Sequence, residues 1–187
     1  LIVDRDQAVR EDATVEGMAS LKPAFKPDGV ITAGNSSPLN AAATSMLLMS
    51  KETAKKKDIK PLATIRSIGF AGVDPTIMGQ GPVPASKKAL EKAELKATDI
   101  DYWEINEAFC IVALNCIQQL GLDPQKVNVM GGGTAIGHAL GATGIRLTGT
   151  LARILNLKGA RYGCANACVG GGQGVATIIE REEYEWC

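Results

Sequence analysis

Apolar and polar positions along this chain fall into a sequence of short alternating elements, and the pattern changes character near residue 28. Residues 1–27 are polar and broken by Pro23 and Pro27, which marks an approach segment rather than a core element. Val30-Ile31-Thr32-Ala33 is apolar and partly β-branched, so it predicts a buried strand. The turn formers Gly34-Asn35-Ser36-Ser37-Pro38 close it. Asn40 can cap a helix running to about Lys57, and Leu62 to about Phe70 reads as a strand ended by Gly72 and Asp74-Pro75.

The second half repeats the alternation. Pro84-Ala85-Ser86 opens a helix to about Lys96, and Tyr102-Trp103-Glu104-Ile105 reads as a strand. Glu107 to Leu120 has helical spacing and stops at Gly121, a residue suited to a left-handed C-terminal cap. Val127-Asn128-Val129 predicts a short strand before the glycine-rich stretch 131–144. Ile145 to Leu157 is again helical and ends before Gly159. Arg161–Cys168 and Val175–Ile179 read as two strands joined by a tight glycine loop, a hairpin. Strands alternating with helices imply an α/β fold, and the closing hairpin makes the sheet mixed. No internal repeat or low-complexity linker interrupts it, so residues 28–187 form one domain behind the approach segment.

Charge narrows the function classes. The chain has 20 basic and 20 acidic side chains, a formal charge of zero, and so no electrostatic footprint for nucleic acid or an anionic membrane. The Lys55-Lys56-Lys57 run is either a site for a phosphorylated ligand or a solvated helix end. No apolar stretch approaches the ~20 residues needed to span a bilayer. The opening residues lack Met, a signal-peptide core and a transit-peptide composition, so the chain is expected to begin elsewhere. Five cysteines do not form a disulfide framework, and a reducing compartment such as the cytoplasm is expected.

Reactive residues concentrate at three junctions. Gly131 to Gly141 holds the single histidine, His138, between small residues that let a ligand approach. An imidazole can act as a base near neutral pH, and a lone histidine can equally be structural. No second histidine or cysteine pair lies at ligand spacing, so no metal is expected. Cys168 opens the run Gly170-Gly171-Gly172, whose N–H groups could lower its pKa or bind an oxyanion; a buried inert thiol is the other reading. Asn106, between a strand and a helix, could hold a water or carbonyl, or simply cap the helix.

Asn106-Glu107-Ala108-Phe109, Gly137-His138-x-Leu140-Gly141 and Cys168-x-Gly170 resemble, in order and spacing, three signature motifs of the thiolase family. Ala33-Gly34-Asn35-Ser36-Ser37 and Met78-Gly79-x-Gly81-Pro82-Val83-Pro84-Ala85 are similar to two further stretches, so the resemblance spans the chain from about Asp4. It implies the C-terminal half of the thiolase fold, with a mixed five-stranded sheet packed with helices. It also implies an acyl-CoA C-acyltransferase, cleaving 3-ketoacyl-CoA or condensing two acetyl-CoA through an acyl-cysteine.

By the same resemblance His138 would deprotonate the acyl-accepting cysteine and, with a water on Asn106, hold the enolate oxygen. Cys168 would carry the second proton, and the Gly170 N–H would serve the other oxyanion hole. Ser37, Ala33, Met78, Ala108, Phe109 and Phe25 would line the pantetheine path. Substrates would be CoA and acyl-CoA with no further cofactor, the partner would be the N-terminal half, and the assembly a homodimer or homotetramer. The sequence departs from the family in three ways. It holds no segment matching that of the acyl-accepting cysteine, Asn40 runs directly into Ala41 where Asp-Gly is common, and Ala139 follows the histidine in place of proline. A non-catalytic CoA-binding or scaffold subunit is the alternative.

Overall fold

The computed structural model describes Ile2 and residues 4–182; residues 183–187 of the expected 28–187 domain lie outside them. The described elements, in chain order, begin with helices α1 (Val15–Ala19) and α2 (Lys51–Lys56) and strand β1 (Thr64–Gly72). Next come α3 (Pro82–Ala93), β2 (Tyr102–Ile105), α4 (Cys110–Leu120), α5 (Gly133–Ile136) and α6 (Thr143–Lys158). The strands β3 (Tyr162–Val169) and β4 (Gln173–Glu180) close the series. The four strands form one sheet in the order β1-β4-β3-β2. β1 and β3 lie antiparallel to β4, whereas β2 runs parallel to β3. The α/β class, the mixed sheet and the closing hairpin therefore match the sequence reading.

Helices cover both faces. Along β1, burial alternates, with Ser67, Gly69 and Ala71 inward. Those small residues let α3 pack closely: a Cβ on Gly69 would meet the Ala85 carbonyl oxygen at 2.2 Å, and the Ser67 hydroxyl donates to Ala89 O at 2.7 Å. α3 and α4 share a core with Trp103, Ile105, Cys116, Cys164 and Ile178. On the other face α6 lays Leu147, Leu151 and Leu155 against Ala165 and Ile179. Each such buried aliphatic side chain contributes roughly 1.5–3 kcal/mol through removal of apolar area from water.

The sheet has four strands rather than five, because side chains replace the missing ladders. The expected strand at Val127–Val129 is reduced to a single parallel bridge between Val127 and Trp103. Asn128 adopts a left-handed φ of 49°, and its side chain accepts from Ile105 N at 2.8 Å and donates to Ile105 O at 3.0 Å. One amide side chain thus does what a strand backbone would do beside β2. The expected strand at Val30–Ala33 becomes a 3-10 turn over Ala33–Asn35, where Thr32 and Asn35 side chains cap each other's backbone.

The expected helix from Asn40 to Lys57 is shortened to Lys51–Lys56, started by the Ser50 hydroxyl accepting from Thr53 N. Residues 40–50 instead follow the histidine loop. His138 N donates to Pro38 O at 3.0 Å and the Thr44 hydroxyl to Ala142 O at 3.0 Å. α3 stops at Ala93 because Glu94 turns left-handed, short of Lys96. β2 has the expected bounds, and α4 ends on Gly121 at φ 64°, as its C-cap chemistry requires. Ile136 and Leu140 of the histidine loop and Leu39, Leu47 and Leu48 of the segment before α2 remain exposed. Among the described residues no helix is long and apolar enough to cross a membrane.

Candidate active site

The parallel strands β2 and β3 end side by side, the position where α/β sheets present ligands. Asn106 leaves β2 fully buried, with its N–H on Asn166 O at 2.9 Å. It is not a helix cap, since Phe109 occupies the N-cap of α4 and makes no side-chain cap bond. α4 begins three residues later than expected because Glu107 is engaged elsewhere: its carboxylate accepts from Thr134 N at 3.0 Å and from the Asn128 amide. That leaves the Asn106 amide free to reach His138, with Nδ2 3.4 Å from Nε2.

The histidine loop is shaped by glycine at two positions. A Cβ on Gly132 would lie 2.4 Å from the Glu107 carboxylate, and Gly137 has φ 91° with Asn40 at 2.4 Å from its would-be Cβ. Beyond the loop, His138 Nδ1 is 2.7 Å from the Thr143 hydroxyl, which itself donates to Ala139 O at 2.9 Å. The hydroxyl proton is thereby committed to the carbonyl, so its oxygen accepts from Nδ1–H. The lone pair of the neutral imidazole therefore sits on Nε2, facing Asn106. Burial first, and the positive charge of Arg146 second, hold His138 below the usual histidine range. Such an imidazole is unprotonated at neutral pH and able to accept a proton.

Cys168 is buried near the end of β3, opposite Gly174 in the hairpin register. Gly170–Gly172 form the loop, with Gly171 and Gly172 both at φ 85°, and Val73 N donates to Gly172 O at 2.7 Å. The thiol is not activated by the glycine amides in the way its position suggested. Burial raises its pKa, and only its own backbone hydrogen bond opposes that. Cys168 therefore rests as a protonated thiol. Alternation along paired strands puts it on the Trp103–Ile105 face, whereas Asn106 follows the opposite face. Among the described residues no hydrogen bond joins the Cys168 thiol to His138 or Asn106, although both cluster at one end of the sheet.

The remaining residues divide. Ser37 N and its hydroxyl both donate to Ala108 O at 3.1 Å, and Ser36 bridges Phe109. The exposed Phe25 ring packs edge-on against Phe109 with centroids 5.7 Å apart. Ser37, Ala108, Phe109 and Phe25 thus form one wall beside Asn106. Ala33 is exposed in the 3-10 turn ahead of Ser36, Met78 is half-buried in the turn preceding α3, and Gly170 is exposed in the hairpin loop.

Two family models match this chain: "Thiolase, N-terminal domain" over residues 1–52 and "Thiolase, C-terminal domain" over residues 59–181. The chain belongs to the thiolase family. A 3-ketoacyl-CoA thiolase of Hahella chejuensis is 48% identical over 184 residues, which are 96% of this chain and 47% of that protein. The crystal structure of the Bacillus anthracis acetyl-CoA acetyltransferase superposes with a TM-score of 0.88 at 49% identity, covering 95% of this chain and 45% of that one. Human mitochondrial 3-ketoacyl-CoA thiolase in complex with CoA gives 0.86 at 40% identity, covering 97% and 46%. The chain spans about half the length of the curated relatives it matches.

Sequence reasoning about this thiolase chain missed the residues that support the site. Thr143 stands five positions after His138, inside the glycine-rich stretch 131–144 and ahead of the helix expected from Ile145, whereas α6 begins at Thr143 itself. Asn128 sits between two valines, a pattern that predicts strand and hides its side-chain role. Glu104 and Arg146 form a buried ion pair, Nη1 to Oε2 3.7 Å, which no spacing along the chain could reveal.

Proposed function

We propose that this chain is the base- and proton-supplying half of an acyl-CoA C-acyltransferase, a thiolase, that cleaves 3-ketoacyl-CoA or condenses two acetyl-CoA. The observation that carries the reading is the His138–Asn106 contact, with Thr143 fixing the imidazole so that its lone pair faces Asn106.

In thiolysis, His138 takes the proton of a cysteine thiol on the N-terminal half, and the thiolate attacks the 3-keto carbon. The tetrahedral oxyanion accepts from the Gly170 N–H. As the carbon–carbon bond breaks, the acyl group stays on that cysteine and the electron pair leaves as the acetyl-CoA enolate. Its oxygen is held by protonated His138 and a water on the Asn106 amide, and the Cys168 thiol protonates its carbon. CoA then attacks the acyl-cysteine, its thiol proton restoring Cys168, and the cysteine thiolate that leaves takes back the proton held by His138. The raised pKa of Cys168 suits a group that starts as a proton donor. Ser37, Ala33, Met78, Ala108, Phe109 and Phe25 line the pantetheine path. CoA and acyl-CoA are the substrates, and the scheme calls for no other cofactor.

The exposed apolar residues of the histidine loop and of the segment before α2 support docking of the nucleophile-bearing half there, as does the half-length match to relatives. We extend the reading to a degradative or general acetyl-CoA acyltransferase of fatty-acid β-oxidation, a cytoplasmic homodimer or homotetramer. The free thiols of Cys110, Cys116, Cys164 and Cys168 support a reducing compartment.

Acetoacetyl-CoA thiolysis by the complete enzyme tests the assignment. Asn106→Ala is expected to lower kcat by ~10²–10³, the usual cost of one oxyanion donor, with the fold retained. Full kcat in that variant removes Asn106 from the machinery, and activity with only this chain present overturns the two-half reading.

A further inference from the structure

Beside the His138–Asn106 contact lies a buried ion pair that the chemistry above does not use. Glu104 is fully buried on β2, two positions before Asn106 and therefore on the same side of the strand. Its partner Arg146 lies on α6, three positions after Thr143 and so on the same side of that helix. The pair meets at 3.7 Å, too long for a direct hydrogen bond. Both Glu104 oxygens, Arg146 Nε and Nη2, and Asn106 Oδ1 are buried without a hydrogen-bond partner. A structural ion pair repays its desolvation with dense hydrogen bonding; this one does not. Unsatisfied buried groups that converge on a reactive residue call for a functional explanation.

We propose that the Glu104–Arg146 pair is a positioning unit for the base. It ties α6, which carries Thr143, to β2, which carries Asn106, and presents a fixed positive charge to the His138 imidazole. The inference rests on the proposed role of His138. The titratable and charged groups on the elements gathered here are Arg146, Arg153 and Lys158 on α6, Tyr102 and Glu104 on β2, Glu107 after β2, and Tyr162, Cys164 and Cys168 on β3. Of these, Arg146 is the charge that acts on His138, while Glu104 is raised to about 7, by burial first, with Arg146 opposing and Glu107 adding to the rise. Below that pH the Glu104 carboxyl carries its proton, so the guanidinium charge faces the imidazole uncompensated. The device keeps the base unprotonated and in register with Asn106 at once.

The test is an NMR titration of the His138 imidazole in the complete protein, assigned by its loss in His138→Asn. Removing the charge with Arg146→Met is expected to raise the titration midpoint. Arg146→Lys keeps the charge and is expected to keep the midpoint low. Should Arg146→Met fail to fold, the double variant Glu104→Gln/Arg146→Met leaves no unpaired buried charge, and its midpoint must rise likewise. A midpoint unmoved by the neutral variants, or raised equally by Arg146→Lys, overturns the proposal. The acid limb of kcat/KM for acetoacetyl-CoA thiolysis should follow the same order. An enzyme with no thiolysis activity defeats the reading of function while the titration still judges the pair.

Discussion

Thr143→Val isolates the group that fixes the histidine tautomer. Valine matches threonine in shape, so the packing at the start of α6 is kept while two hydrogen bonds go, at 2.7 Å to His138 Nδ1 and 2.9 Å to Ala139 O. The second loss falls on a carbonyl and costs little catalytically. The first leaves Nδ1–H without a partner in a half-buried position, a penalty of about 1–2 kcal/mol for that tautomer. The ring can relieve it by moving the proton to Nε2, which removes the lone pair from the reacting side. A 1–2 kcal/mol shift corresponds to roughly a 5–30-fold loss of the competent form. Thiolysis by the complete enzyme should show kcat lowered by that factor with KM nearly unchanged, because Thr143 lies outside the residues proposed to line the pantetheine path. Thr143→Ser should recover most of it. Thermal unfolding should fall by about 2–4 °C per kcal/mol lost. Full kcat in Thr143→Val, or a serine variant as slow as the valine one, would refute the tautomer argument.

Other perturbations probe the scaffold. Asn128→Ala removes the side chain that pairs with Ile105 and Glu107, and should cost about 2–4 kcal/mol in urea unfolding; a loss under about 1 kcal/mol contradicts its strand-replacing role. A Cβ on Gly174 would lie 2.0 Å from Gly81 O, so Gly174→Ala should destabilise by 1–3 kcal/mol or more as backbone is forced apart. Gly121→Ala, with open space but φ 64°, should cost only about 1–2 kcal/mol from left-handed strain. Glu104 binds its proton more tightly folded, near 7, than at its ordinary 4.5, so its stabilising contribution is present below the lower value and lost as pH rises between them. The loss is on the order of 3 kcal/mol. Urea midpoints should therefore fall more for wild type than for Glu104→Gln between about pH 4.5 and about pH 8, and parallel curves would sink the linkage.

The elements legible in the sequence are those held by local chemistry. β2, the end of α4 at Gly121, α6 and the closing hairpin follow from periodicity and cap residues, which act within a few positions of themselves. Sequence order and motif chemistry also singled out Asn106, His138 and Cys168, and the fold gathers them at one end of the sheet. The failures share a cause. At Thr32–Asn35 and at Asn128, side chains satisfy backbone groups that a strand would have paired, and apolar pattern is blind to that competition. Residues 40–50 have helical composition but lie tethered along the histidine loop through Pro38 and Thr44.

Sequence alone thus determined which groups could react and in what order they occur along the chain. Tertiary structure decided how each is set. It turned the His138 lone pair toward Asn106 through Thr143, kept the Cys168 thiol protonated by burial despite the glycines beside it, and put a charge pair beside Asn106 and His138. Those settings depend on desolvation and on contacts between residues far apart in sequence, and neither quantity is carried by spacing along the chain.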